Sequence, residues 1–531
     1  MGLDFCPFET DEKTGKFARI DMSNLAYELI FRNGYTKKDF NGTVLESSHY
    51  LDAKTDERLN RDYQDNSEKM ILEEGIPGKH GNQLQELLRR LDEEKQNETS
   101  AAGRGTGSPD AMEDTEVLEG GETGVLLDYQ SQKDGSFSFY FSASAGKGRR
   151  EIMRALPCCP RCHKRLPLGW NNKDIEDFYS ISLLSSTGEG KTSFLLAMME
   201  KKWRRLGAIS SDLYVYPAHI IDDDHDQYGS LAGQCEMMCK EQGECPPQTT
   251  PGQGKKINPV FLRIQYNGHN MILGIYDNSG EVLKAMNPGD DRIQMLLNMN
   301  AIIYFIDPKN MKVELPTETE KQRKEWTEAI LLDTIQMQGE FQKENRGTRV
   351  QGEKLLLEAR REVRSTGKEK ESPFALYQDF RNATMTADGW ADMAVTDRNK
   401  RFMKEQHLCC TIIKSDLLRE SPQMREIPHM TELFTRDPEY NYLDEDIQYA
   451  REQIVQEVCS QFAFSHREMG IMEKDMKSVS WHCISSLGCG TEEIRPQVFR
   501  LKGRFDPIRV EEPLVICMRN RFQENGWEEQ E

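Results

Sequence analysis

The run Ser185-Ser186-Thr187-Gly188-Glu189-Gly190-Lys191-Thr192 concentrates residue types able to hold a chain of phosphates. Glycines such as Gly188 and Gly190 let backbone N–H groups close round phosphate oxygens, and a helix starting there adds partial positive charge. In that chemistry Lys191 reaches the terminal phosphates, Thr192 ligates magnesium through its hydroxyl, and Ser193 extends the cradle. The usual pattern opens with glycine, and here that position holds Ser185. Such a loop works only between a strand and a helix. The apolar run Phe178–Leu184 precedes it, and Phe194, Leu195, Leu196, Met198 and Met199 follow among helix formers.

Three further segments carry matching chemistry. Met271–Tyr276 reads as a strand ending in Asp277-Asn278-Ser279-Gly280-Glu281. A carboxylate there holds magnesium through water, and the N–H of Gly280 can sense a terminal phosphate. Cys409–Leu418 reads as a strand entering a turn that carries Lys414 and Asp416. The Asp416 carboxylate can accept both the N1 and N2 protons of guanine, which adenine cannot donate, while the Lys414 stem covers the ring. Asn or Thr usually precedes that lysine, and here Ile413 does. After a last strand from Val479, the small-residue turn at Ser485 and Ser486 offers backbone groups to the guanine oxygen.

Cysteines suggest a second chemistry. Cys159-Pro-Arg-Cys162 has the spacing of a zinc knuckle, and Cys6-Pro7-Phe8-Glu9 reads like the same turn with its second cysteine replaced. Cys6, Cys159 and Cys162 with Glu9, Cys158 or His163 would make a four-ligand site; the other reading is a ribbon that no longer holds metal. Cys235, Cys239 and Cys245 fit buried or loop thiols better than ligands. The basic run from Lys147 to Arg165 fits a solvated surface better than a nucleic-acid face.

The elements that must position these groups belong to a chain of 531 residues, long enough for two to four domains. Net charge of −20 argues against broad contact with nucleic acid or an anionic membrane. No segment has the ~20 apolar residues of a membrane span, and Met1–Cys6 does not resemble a secretory signal. The 13 cysteines, partly clustered, fit thiols and metal ligands in a reducing cytoplasm. The expected order is an N-terminal region 1–156 with a flexible insert at 97–123, a zinc-ribbon-like knuckle at 157–170, an α/β domain at 171–520 and an acidic tail at 521–531. Residues 54–97 read as charged helix, and 315–400 as a charged, mostly helical insert. Val260–Tyr266 and Met271–Tyr276 flank Asn267-Gly268, a hairpin signal, and Ala301–Asp307 reads as a buried strand.

The order Gly-Lys-Thr loop, Asp-x-x-Gly, Lys-x-Asp and Ser-Ser-Leu resembles the translation-factor-related class of P-loop GTPases. The Cys-Pro-x-Cys segment before the loop, Ile-Lys-Ser-Asp-Leu-Leu and the closing Ile-Arg-Val-Glu-Glu-Pro-Leu narrow the resemblance to bacterial double-GTPase families over about 157–520. The resemblance implies a mostly parallel α/β sheet with helices on both faces, GTP or GDP with Mg2+, and a switch threonine at Thr250 or, less surely, Thr249. It implies phosphate and magnesium roles for Lys191, Thr192, Asp277 and Gly280, and guanine roles for Lys414, Asp416, Ser485 and Ser486. Glu281 stands where such enzymes often place a water-orienting glutamine; it either orients water or, charged, repels it. The implied protein is a slowly hydrolysing switch with a protein effector or activating partner in a multi-component bacterial system linked to conflict and defence. The competing expectations are a nucleotide-bound scaffold without hydrolysis, and an ATPase.

Overall fold

The computed structural model describes residues 3–22, 25–31, 50–52, 70–72, 126–132, 136–142, 150–170, 172–185, 190–198, 213–218, 243, 245, 259–279, 283, 288–313, 315, 372–385, 390–419, 421–434, 445–495 and 498–527. The chain divides into two compact units, Met1–Phe178 with His269–Ile272, and Tyr179–Gly268 with Leu273–Glu531.

In the first unit, β1 (Phe5–Thr10) pairs with β2 (Phe17–Arg19). A six-stranded sheet is built from β3 (Ala26–Phe31), β4 (Tyr50–Asp52), β5 (Met70–Leu72), β6 (Leu126–Ser131), β7 (Phe137–Ser142) and β8 (Arg150–Cys158). Its order is β4-β5-β3-β8-β7-β6, with antiparallel neighbours. β8 crosses the boundary expected near residue 156, because its ladder to β3 continues to the pair Ala26–Cys158 and so makes the knuckle an extension of the sheet. Met70–Leu72 lies inside the stretch expected to be helical but is a strand. Three consecutive apolar residues suit a sheet ladder, and the leucines that suggested a helical stripe, Leu84 to Leu91, lie outside the described residues, as does the insert at 97–123. Phe5, Phe17, Trp170 and Phe178 form an aromatic cluster with centroid spacings of 5.0–5.8 Å, and the Trp170 indole donates to the Phe5 carbonyl at 3.1 Å.

The second unit is organised on a mostly parallel seven-stranded sheet. Its strands are β9 (Asp177–Ser185), β10 (Leu213–Pro217), β11 (Val260–Tyr266), β12 (His269–Ser279), β13 (Ala301–Ile306), β14 (His407–Ile412) and β15 (Ser478–Cys483), in the order β10-β11-β12-β9-β13-β14-β15. Strands β9, β13, β14 and β15 are parallel neighbours. Every residue of β13 and β14 is buried, as expected of strands covered on both faces. The Asn267-Gly268 hairpin forms as read, with φ of 47° and 82° in the two turn residues.

Successive residues of β13 meet helices on opposite sides. Tyr304 packs edge-on against Tyr377 of the helix Pro373–Met385, and Phe305 against Phe194 of α1 (Lys191–Ala197). The charged insert is helical at Pro373–Met385 and Trp390–Met403, while 316–371 lie outside the described residues. The helices Glu445–Phe462 and His466–Asp475 gave no motif-level signal; the second opens on a capping box between Ser465 and Glu468. The last helix, Glu512–Asn525, starts with proline in its first turn and closes on Gly526 at φ 69°. Among the described residues no helix is long and apolar enough to cross a membrane.

Candidate functional site

Because β9, β13 and β14 run parallel, their carboxyl ends deliver Ser185, Ile306 and Ile412 to one edge of the sheet. The strand order reverses at β9, with earlier-paired strands to one side and later ones to the other, a place where α/β sheets open a crevice. Gly190 occupies the turn into α1 at φ 103°, which a side chain would strain. Lys191, the first residue of α1, folds back to donate to the Ser185 carbonyl at 3.3 Å and the Ser185 hydroxyl at 3.1 Å. Its ammonium lies 3.8 Å from the Asp277 carboxylate. Ser185, the departure from the usual glycine, therefore serves as a seat for the lysine.

Asp277 lies near the end of β12 with its side chain only 8% exposed. Burial raises its carboxyl above the ordinary range, and the Lys191 charge pulls in the opposite direction. Thr192 and Ser193 sit half-buried in the first turn of α1. Gly188, Thr249, Thr250, Gly280 and Glu281 lie outside the described residues.

Further along the same edge, Ile413 and Lys414 leave β14 and Asp416 enters the short helix Ser415–Arg419. A Cβ added to Gly190 would stand 3.9 Å from Cδ1 of Ile413, so this turn and the glycine loop are near neighbours. Lys414 has φ 54° and pairs through its ammonium with Asp307, just beyond β13. The Ser485 hydroxyl donates to Asp416 at 2.5 Å, and Gly488 N–H donates to the same hydroxyl at 3.0 Å. Ser485 is pinned in turn by reciprocal backbone bonds with Ile508, at 3.0 and 2.8 Å. Gly488 must be glycine, since a Cβ there would meet the Asp506 carbonyl at 1.7 Å. Ser486 is buried in this turn.

The sequence-selected Lys191, Asp277, Lys414, Asp416 and Ser485 thus form two linked groups on one sheet edge. Asp307 was read only as the end of a strand. A carboxylate after six apolar residues and before proline is the signal that marks it. Below the Ser485 turn, His482 bonds Glu512 at 3.0 Å and Ser480 at 2.9 Å, while Arg509 also pairs with Glu512. Burial disfavours both charges, yet Arg509 and His482 hold Glu512 down to about 2, and Cys409 and Glu512 carry His482 up to about 9.

In the first unit the sulfurs of Cys6, Cys159 and Cys162 gather within 4.8 Å of one another, all buried. Phe8 N–H points at the Cys6 sulfur and Arg161 N–H at the Cys159 sulfur, each at 3.4 Å, so both Cys-Pro turns adopt the same shape. Thiol hydrogen bonds from Cys162 and Cys6 hold Cys159 down to about 3, and burial pushes Cys6 up. Three soft sulfur donors this close together could hold a metal cation. None of the three candidate fourth ligands joins the group: Glu9 pairs with Arg161 at 3.4 Å, the Cys158 thiol donates to the Leu156 carbonyl at 3.6 Å, and His163 is buried apart from it. Cys245 is half-buried, and Cys235 and Cys239 lie outside the described residues. Part of the basic run is engaged locally: Arg165 pairs with Glu28 at 3.0 Å and Lys164 lies over the Phe8 ring at 5.4 Å.

Neither a scan of protein-family models nor a search of curated proteins finds a match to this chain.

Proposed function

We propose that the crevice at the carboxyl edge of the seven-stranded sheet binds a guanine nucleotide and that the protein is a slowly hydrolysing GTP switch of the P-loop class. The observation that carries the reading is the hydrogen bond from Ser485 to Asp416, 2.5 Å long, on the same edge as the Lys191–Asp277 pair. With one oxygen occupied and its position fixed from below, the Asp416 carboxylate keeps acceptor capacity for the paired N–H donors of guanine. The nearness of Ile413 to Gly190 supports one ligand spanning both groups.

At the phosphate end, Lys191 exchanges its Ser185 and Asp277 partners for phosphate oxygens. Magnesium, held by Thr192 and through water by Asp277, would neutralise charge on the phosphates when bound. Catalysis here is positioning and electrostatics, and turnover without a partner falls well below about one per second by analogy with small GTPases. A partner protein would then read the nucleotide state through the segments that carry Thr250 and Gly280. The three-cysteine cluster is assigned to zinc as a structural site, with Cys6, Cys159 and Cys162 as ligands.

The test is competition of GTP and ATP for a fluorescent guanine nucleotide on purified protein. GTP should compete and ATP should not, and Asp416→Asn should lower guanine affinity about 10-fold or more. Equal competition by ATP in the wild type sinks the guanine assignment. Single-turnover phosphate release then separates a hydrolysing switch from a nucleotide-bound scaffold.

A further inference from the structure

Lys414 occupies an awkward place. Its φ of 54° puts a long side chain in the left-handed region, which residues other than glycine adopt only where their surroundings hold them. The position before it, which commonly supplies a polar side chain to brace such a turn, is Ile413. That residue is 2% exposed, and a Cβ added to Gly190 would stand 3.9 Å from its Cδ1, so its side chain offers bulk there and no polar brace.

The polar brace comes from the neighbouring strand. Asp307 follows β13, and the backbone bond from Ile413 N–H to the Ile306 carbonyl, 3.0 Å long, keeps the two strand ends in register. One carboxylate oxygen of Asp307 accepts the Lys309 N–H at 2.9 Å, capping the turn Pro308–Asn310, and this fixes the side-chain rotamer. The other oxygen takes the Lys414 ammonium. The Asp307 side chain is 6% exposed and that of Lys414 is 30% exposed, so the carboxylate is a buried anchor and the lysine keeps accessible surface.

We infer that Asp307 is the positioning residue for Lys414: by holding the ammonium it sets the methylene stem as an apolar plate for the face of a purine base. An ammonium left in water would keep its rotamers, and ordering the side chain on binding would cost affinity. Held by a fixed carboxylate, the side chain is ordered before the base arrives. This assignment rests on the nucleotide reading above and names the group that organises its guanine end.

The experiment measures binding of mant-GDP to the full chain by fluorescence titration, with a thermal melt for each variant. Asp307→Asn keeps an acceptor for the turn cap but loses the ion pair, and it should weaken mant-GDP about 10-fold. Asp307→Glu, which restores the charge, should recover part of the loss. Lys414→Ala should weaken binding as well, and adding Asp307→Asn to it should then cost little, because both act through one side chain. Should Asp307→Asn fail to fold, Asp307→Ser, which also caps turns, takes its place in the cycle.

Wild-type protein that binds mant-GDP while both Asp307 variants bind equally well overturns the assignment and leaves the nucleotide reading standing. A full, additive loss in the Lys414→Ala background also overturns it, since the effect would then be structural. Wild-type protein that binds neither mant-GDP nor mant-ATP overturns the nucleotide reading and this assignment together.

Discussion

The carboxyl edge of the sheet in the second unit and the thiol cluster of the first both bury ionisable groups, but they balance charge in different ways. In the crevice each buried carboxylate faces a lysine of its own, Asp277 with Lys191 and Asp307 with Lys414. These two carboxylates are balanced in pairs, and on the proposed function an anionic ligand would enter by exchanging partners. The cluster brings together three thiols, and only Cys159 is drawn toward the thiolate while burial holds Cys6 protonated. A divalent cation would let all three ionise. Among the described residues, the two crevice carboxylates have cations of their own, whereas the three sulfurs have none within the cluster.

That contrast can be broken most decisively at the cluster. Zinc-bound protein should carry about one metal per chain, with metal-linked stabilisation on the order of 10 kcal/mol. Cys159→Ala should abolish the metal and the cooperative melting of the N-terminal unit, read by metal analysis and calorimetry. Metal-free protein with an unchanged melt under chelator would put the cluster among ordinary core thiols.

The next effect lies in the charge network under the Ser485 turn. Glu512→Gln leaves His482 and Arg509 buried without their carboxylate and should cost about 3–5 kcal/mol in urea unfolding. Its pH dependence has a defined sign. Glu512, depressed to about 2, stabilises fully above the ordinary glutamate range, and that contribution is lost as pH falls toward 2. His482, raised to about 9, stabilises fully below its ordinary value of 6.5, and that contribution is lost as pH rises through 9. Wild-type stability should therefore be greatest between about pH 5 and 6.5, and the variant should flatten both flanks.

Within the crevice, Lys191→Ala should weaken a fluorescent GTP analogue about 100-fold, since two or more charged hydrogen bonds go with it. The smallest effect sharpens the pairing idea. Burial raises the Asp277 carboxyl and Lys191 opposes this, so magnesium-dependent binding should begin to weaken above the ordinary carboxylate range as pH falls. Removing Lys191 should move that midpoint to higher pH, measured by magnesium titration across pH. An unmoved midpoint would mean that the pair does not couple.

The strand before Gly190, the turn at that glycine and the helix after it were legible because their signal is local. A left-handed turn at Gly190 and a two-residue hairpin at Asn267-Gly268 are properties of a few adjacent residues, and the apolar runs of β13 and β14 declare buried strands by composition alone. Asp416 and Ser485 were chosen for their chemistry, yet nothing in their spacing of 69 residues states that one donates to the other. The shortest strands of the six-stranded sheet are not legible for the opposite reason. Strands as short as Tyr50–Asp52 and Met70–Leu72 carry too few residues for any period to register. Glu9, a reasonable fourth ligand on spacing, is turned to Arg161 by an ion pair that the sequence does not announce.

What the sequence determined alone is the inventory and its local geometry: loop, turn, knuckle and strand each follow from torsional and burial preferences of neighbouring residues. The tertiary structure decided the pairings: Lys414 with Asp307, Ile413 beside Gly190, His482 with Glu512, and Asp416 with Ser485. Those pairings depend on which strands lie side by side, and strand order is set by the packing of whole faces, a property that no short window of residues contains.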